Sequence, residues 1–138
     1  MLSHFRILVL IALATFLAGC GDEISRKYST LADARVDVEK GWIPPILLPS
    51  TYSIRDTHDL DLNLGEGSFL FDPKEFEVLM NGLSATPNFS PRFLPKDAER
   101  KALEKAGFSF RQHFANDTIW LVAATRDGHG RYWMELKR

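Results

Sequence analysis

The chain has 138 residues, 45% of them hydrophobic and 25% charged, with a formal net charge of −1. This balance fits one ordinary globular domain; it excludes a disordered or fibrous chain and argues against a nucleic-acid partner, which would want a basic footprint. A single cysteine excludes an intramolecular disulfide and any multi-cysteine metal site.

Read from the start, Arg6 precedes an apolar run from Ile7 to Leu17 that only Thr15 interrupts. As a helix this run rises about 16 Å, well short of the roughly 30 Å hydrocarbon core, and so reads as a secretory signal peptide over residues 1–19. Leu17-Ala18-Gly19-Cys20 resembles the lipobox of bacterial lipoproteins. That resemblance implies diacylglycerol on the Cys20 thiol, cleavage just before it and acylation of the new amino terminus. Two or three acyl chains would hold the protein at a membrane almost permanently, where one chain holds only marginally. By resemblance to the sorting rules of Gram-negative lipoproteins, Gly21 directly after the cysteine implies the outer membrane over the inner, and the folded part is expected to face the periplasm. Residues 20–27 read as the lipidated cysteine and a short polar tether, and 28–138 as a single domain.

Within that domain, Thr30 and Asp33 have the spacing of a capping box, and Leu31, Ala34 and Val38 lie on one face of a helix that should stop at Gly41. Trp42 to Pro49 is too proline-rich for a helix and reads as an extended apolar segment. Tyr52–Leu60 and Ser68–Phe71 read as strands. Asp72, Pro73 and Glu75 mark a helix start, with Phe76, Leu79, Met80 and Leu83 as its apolar face. Residues 84–95 read as an irregular loop. A third helix is expected over 96–106, with Ala98, Ala102, Leu103 and Ala106 inward, followed by strands around Phe108–Phe114, Thr118–Thr125 and Tyr132–Leu136. The expected class is α+β, a mostly antiparallel sheet ending in a three-strand meander and packed by two or three helices.

Three stretches carry a second resemblance: Lys40-Gly41-Trp42-Ile43-Pro44, Ile54 to Asn63 with its His58-Asp59-Leu60-Asp61, and Gly67-Ser68-Phe69-Leu70-Phe71. Together they resemble the YbbD head domain, found in small bacterial proteins, some with lipoprotein leaders. The resemblance implies a shared α+β fold and no particular activity.

The densest polar cluster is Arg55, His58, Asp59 and Asp61. Asp59, Asp61 and Asn63 are oxygen ligands at a spacing of two, yet the EF-hand pattern fails, because Leu64 stands where its glycine belongs and Leu70 where its bidentate Glu belongs. The structural alternative is that Arg55, Asp56, His58 and Asp59 hydrogen-bond backbone and fix the sheet edge. His58 with Asp59 or Asp61 has the composition of a general base with an orienting carboxylate, but no serine elbow accompanies it and lipidation would consume Cys20. His58, His113 and His129 lack metal-ligand spacing, and no cofactor motif is present. Trp133 falls on the opposite face of its strand from Tyr132 and Met134; exposed beside Arg131, it would mark an interaction patch. The sequence therefore favours a membrane-tethered periplasmic lipoprotein acting as a non-catalytic binding module, with an envelope protein or a small ligand as partner. The alternatives are a small periplasmic hydrolase or metal-dependent enzyme built on His58, Asp59 and Asp61, and a protein inhibitor presenting a loop within 84–95.

Overall fold

A computed structural model describes residues 21–85 and 94–137. Cys20 and the signal sequence lie outside the described residues, as does most of the loop between 84 and 95. Six strands form one antiparallel sheet: β1 (Glu23–Thr30), β2 (Tyr52–Asp59), β3 (Leu64–Leu70), β4 (Ser109–Ala115), β5 (Thr118–Ala124) and β6 (His129–Leu136), in the order β1-β2-β3-β6-β5-β4. The helices are short: α1 (Arg35–Glu39), a 3₁₀ turn (Pro73–Glu75) running into α2 (Phe76–Asn81), and α3 (Asp97–Lys105). Strand outweighs helix by 42% to 21%, which overturns the expected helix-packed α+β class in favour of a sheet-dominated fold with short helical covers.

The physical reason lies in the helices themselves. α1 has a single fully buried side chain, Asp37, and α3 has none. Ala98, Ala102 and Ala106, expected to face inward, are exposed, and only Leu103 is half-buried. Alanines remove little apolar area from water, so an alanine-lined helix stays on the surface. Residues 23–27, read as tether, are the first part of β1, whose pairing with β2 runs from Glu23↔Asp59 to Thr30↔Tyr52. Thr30 and Asp33 make their reciprocal bonds, Thr30 N to Asp33 Oδ2 at 3.0 Å and Asp33 N to Thr30 Oγ1 at 3.2 Å, but they brace a turn ahead of α1 rather than a full helical turn.

Two apolar layers hold the sheet. On one face, Ile43 and Leu47 from the proline-rich segment and Phe76, Leu79, Met80 and Leu83 from α2 and its exit cover Ile54, Phe69, Trp120, Val122 and Met134. On the other, Leu94, Leu103 and Phe108 cover Phe110, Leu121, Ala123 and Trp133. Among the described residues this second cover lies over strands β4, β5 and β6. β5 is therefore buried along its whole length, whereas β1, β2 and β3 keep one face open. Asn116 and Asp117, both at positive φ, form the two-residue turn that joins β4 to β5.

Close packing on the covered face depends on Gly67. It pairs with Asp56 on one side and Tyr132 on the other, and the Tyr132 ring lies flat across it. A Cβ there would overlap both the ring and the Arg55 carbonyl. Gly67→Ala is expected to destabilise the fold by about 1–3 kcal/mol, as overpacking does. Gly21→Ala, where a Cβ meets nothing within 4 Å, serves as the neutral control. Urea denaturation of both variants checks this, and equal midpoints would refute it.

Candidate functional site

Alternation along β2 sends Ile54, Asp56 and His58 to the covered face and Arg55, Thr57 and Asp59 to the other. The sheet register then lines up one row across four strands: Arg26, Asp56, Gly67 and Tyr132. Tyr132 crosses Gly67 and its hydroxyl donates to Asp56 Oδ1 at 2.5 Å. Asp56 Oδ2 shares a 2.5 Å hydrogen bond with His58 Nδ1. The His58 ring stacks on Trp42, with centroids 4.1 Å apart and planes 9° from parallel. A second carboxylate, Asp37 of α1, receives two 3.1 Å bonds from Arg26 Nη1 and a short hydrogen bond from the Tyr28 hydroxyl. These groups tie α1 and the Trp42 segment onto β1, β2, β3 and β6.

The network is sealed. Asp56 is 1% exposed and His58 3%. Burial pushes the Asp56 carboxyl above the usual carboxylate value, against the pull of the Tyr132 and His58 hydrogen bonds and with a further push from the charge of Asp37. Burial likewise raises the Tyr132 hydroxyl well above an ordinary tyrosine, helped by the Asp56 charge beside it. Both Asp56 oxygens are thus occupied by donors, while His58 keeps an edge in the wall of a hollow of about 140 Å³.

The residues expected to act together do not. His58 bonds Asp56; it shares with Asp59 the wall of that hollow, to which Asp61 does not contribute. Asp59 Oδ1 accepts from the Leu62 backbone N–H at 2.8 Å, a local turn bond of the structural kind. Asp61 sits exposed in the β2–β3 turn, where a hydrogen bond shared with Asp22, and then the charge of that neighbour, hold its carboxyl above the usual range. Among the described residues no group of three or more His, Cys, Asp or Glu side chains is arranged to hold a metal ion. Trp133 is not an exposed anchor: it is 2% exposed, packed beside Phe110 and roofed by Arg131, whose guanidinium lies 4.9 Å from the ring centroid. Sequence reasoning gave Asp37, Tyr132 and Gly67 no part in a site. Asp37 carried a signal, because it follows Ala34 by three residues on the apolar side of α1.

Arg55 and Arg131 emerge instead on the open face. The register there reads Lys27, Arg55, Ser68 and Arg131 from β1 to β6. Two hollows of about 400 and 280 Å³ adjoin this row, and Arg55, Ser68 and Arg131 line both. Phe108 and Leu70 form part of the larger hollow's wall, and Glu66 part of the smaller one's. Arg131 gives one bond to Glu99, at 3.2 Å.

Strands β1 to β3 and the segment covering them thus hold every member of the buried network except Tyr132. The YbbD head domain matches residues 22–70. That is about a third of the chain, and it contains Asp37, Trp42, Asp56, His58, Gly65 and Gly67. The match supports the resemblance to this group of small bacterial proteins over β1, β2 and β3, while β4 to β6 lie outside it. No curated protein and no solved structure matches the chain.

Two outcomes test the network. Tyr132→Phe leaves Asp56 Oδ1 without its donor and is expected to cost about 1–3 kcal/mol in urea denaturation, the usual penalty for a buried polar atom left unpaired. Because the folded state raises the Asp56 carboxyl above 3.8, its protonation stabilises the fold. That contribution is complete below the ordinary value and disappears as pH rises through the raised one. Asp56→Asn should therefore flatten the stability profile across mildly acidic pH relative to the wild type, and superimposable slopes would overturn this assignment.

Proposed function

We propose that the chain is a lipid-anchored bacterial envelope protein, held at the outer membrane through Cys20, and that its folded part is a non-catalytic binding module facing the periplasm. The observation that carries the reading is the division of polar groups between the two faces of the sheet. The titratable side chains suited to acid–base work, Asp56 and His58, are enclosed and serve the fold. On the open surface Arg55, Ser68 and Arg131 line hollows rich in donors, with His129 in the wall of the larger one, and among the described residues no group of three or more His, Cys, Asp or Glu side chains is arranged to hold a metal ion.

The start of β1 supports the anchored part of the reading. Only Gly21 and Asp22 separate Glu23 from Cys20, and two extended residues span about 7 Å. Acyl chains on Cys20 would therefore keep the sheet close against the bilayer instead of swinging it on a long leash. The enzyme alternative has less behind it: His58 and Asp59 share the wall of one hollow without Asp61, His58 bonds Asp56, and Asp59 accepts from the Leu62 N–H.

Fractionation tests the anchor. The wild type is expected in the membrane fraction, carrying label from radioactive palmitate. Cys20→Ser should give an unlabelled protein that is either soluble or retained as the longer precursor. Normal processing with full membrane retention in that variant would defeat the proposal.

A further inference from the structure

We propose that the open face of the sheet holds a binding site for a small phosphomonoester, with the phosphoryl group seated over Ser68 between Arg55 and Arg131 and an apolar body lying toward Phe108. The inference deepens the binding-module reading and rests on it.

The argument starts from register. Arg55 on β2 and Arg131 on β6 both pair with Ser68 on β3, and all three residues line both hollows on the open face. Adjacent strands lie about 4.8 Å apart, which puts the two arginine backbones roughly 10 Å from each other. Long side chains leaning inward from that separation can reach a single tetrahedral group. Lys27 continues the row on β1. Cations in register repel one another, and like charges directly opposite destabilise a sheet unless something neutralises them. Here the Arg131 guanidinium bonds Glu99 at 3.2 Å and lies over the Trp133 ring, while among the described residues no hydrogen bond or ion pair is found for Arg55 or Lys27. With Glu99 on Arg131 and Glu66 in the smaller hollow, two carboxylates stand against the three cations of the row, which leaves a place for one further anion.

Two features narrow the ligand. A dianionic phosphoryl group offers three oxygens, enough to take both guanidinium forks and the Ser68 hydroxyl, whereas a carboxylate offers two. The larger hollow, about 400 Å³, falls within the usual range for small-molecule sites. Its wall combines these donors with Phe108 and Leu70, so an apolar body fits beside the charged end. Glu66, in the smaller hollow on the other side of Arg55 and Arg131, disfavours extension of negative charge in that direction. This asymmetry argues for one terminal oxyanion rather than a polyanion laid along the sheet.

The test uses the full-length protein in a non-ionic detergent and phenyl phosphate as probe. The arginine Nε–Hε resonances of Arg55 and Arg131 should shift saturably at millimolar or lower concentration. Arg55→Gln and Arg131→Gln should each weaken binding about tenfold, and inorganic phosphate, lacking the apolar body, should bind more weakly than phenyl phosphate. Lys101→Gln, on exposed α3 and outside both hollows, should leave binding unchanged. Absence of a saturable shift would overturn the proposal, as would wild-type affinity in the Arg55→Gln and Arg131→Gln variants. So would shifts produced only by phosphatidic-acid bicelles and not by the free ester, since the face would then read a lipid surface. Palmitate labelling and fractionation are scored separately, so an anchored protein that ignores phenyl phosphate would sink this assignment while leaving the anchor intact.

Discussion

The fold depends on a single side chain reaching across a strand. Tyr132 passes over Gly67 to meet Asp56, and through Asp56 it engages His58 and the ring of Trp42. A buried carboxylate is tolerable only when its oxygens are occupied by donors, so this contact fixes much else. β3 must carry a glycine opposite Asp56. β6 must pair in the register that sets Tyr132 against that glycine. The Trp42 segment must lie where it can cap the imidazole. One-residue slippage of β6 would turn Tyr132 to the opposite face and leave Asp56 Oδ1 orphaned. The buried polar row thus selects one register among those that the apolar residues alone would permit.

The same arrangement divides the molecule's chemistry. The segment from α1 to Leu47, together with α2, closes one face over the polar row and its apolar neighbours. Among the described residues the opposite face is covered where α3 and Phe108 meet Phe110 and Trp133. Groups that look functional by residue type, an Asp beside a His beside a Tyr, lie buried and bonded to one another, whereas residues of plainer aspect, two arginines and a serine paired across three strands, line the open face. Residue type alone does not separate these roles; the direction of each side chain relative to its sheet does.

Much of the strand pattern was legible in the chain. Tyr52–Asp59 and the wholly apolar β5 follow from alternation and from a continuous buried run, and the apolar face of α2 follows from its spacing. β1 was not legible, because Glu23–Thr30 is polar at nearly every position and its inward Arg26 finds an acidic partner in Asp37 that only the folded chain provides. The helical share was overestimated because caps and alanines mark where a helix forms without saying how much it buries. Alternation correctly placed Trp133 opposite Tyr132, yet the second apolar layer above it comes from Leu94, Leu103 and Phe108, a tertiary contribution that no reading of β6 supplies. His58 was recognised with the wrong acid. Its same-face neighbour two positions earlier, Asp56, was the partner that strand geometry allows.

The boundary of the family resemblance has a consequence for how the chain can be divided. Residues 22–70 contain the Asp56 carboxylate and strand β3, but the hydroxyl that satisfies one and the strand that pairs with the other come from β6. Cut at that boundary, the piece would expose the edge of β3 along its length and strand a carboxylate in an apolar setting. The segment shared by resemblance is therefore not an autonomous folding unit in this protein. Recombination or truncation that respects its sequence limits would break its interior, so the smallest transplantable piece must include the strand that brings Tyr132.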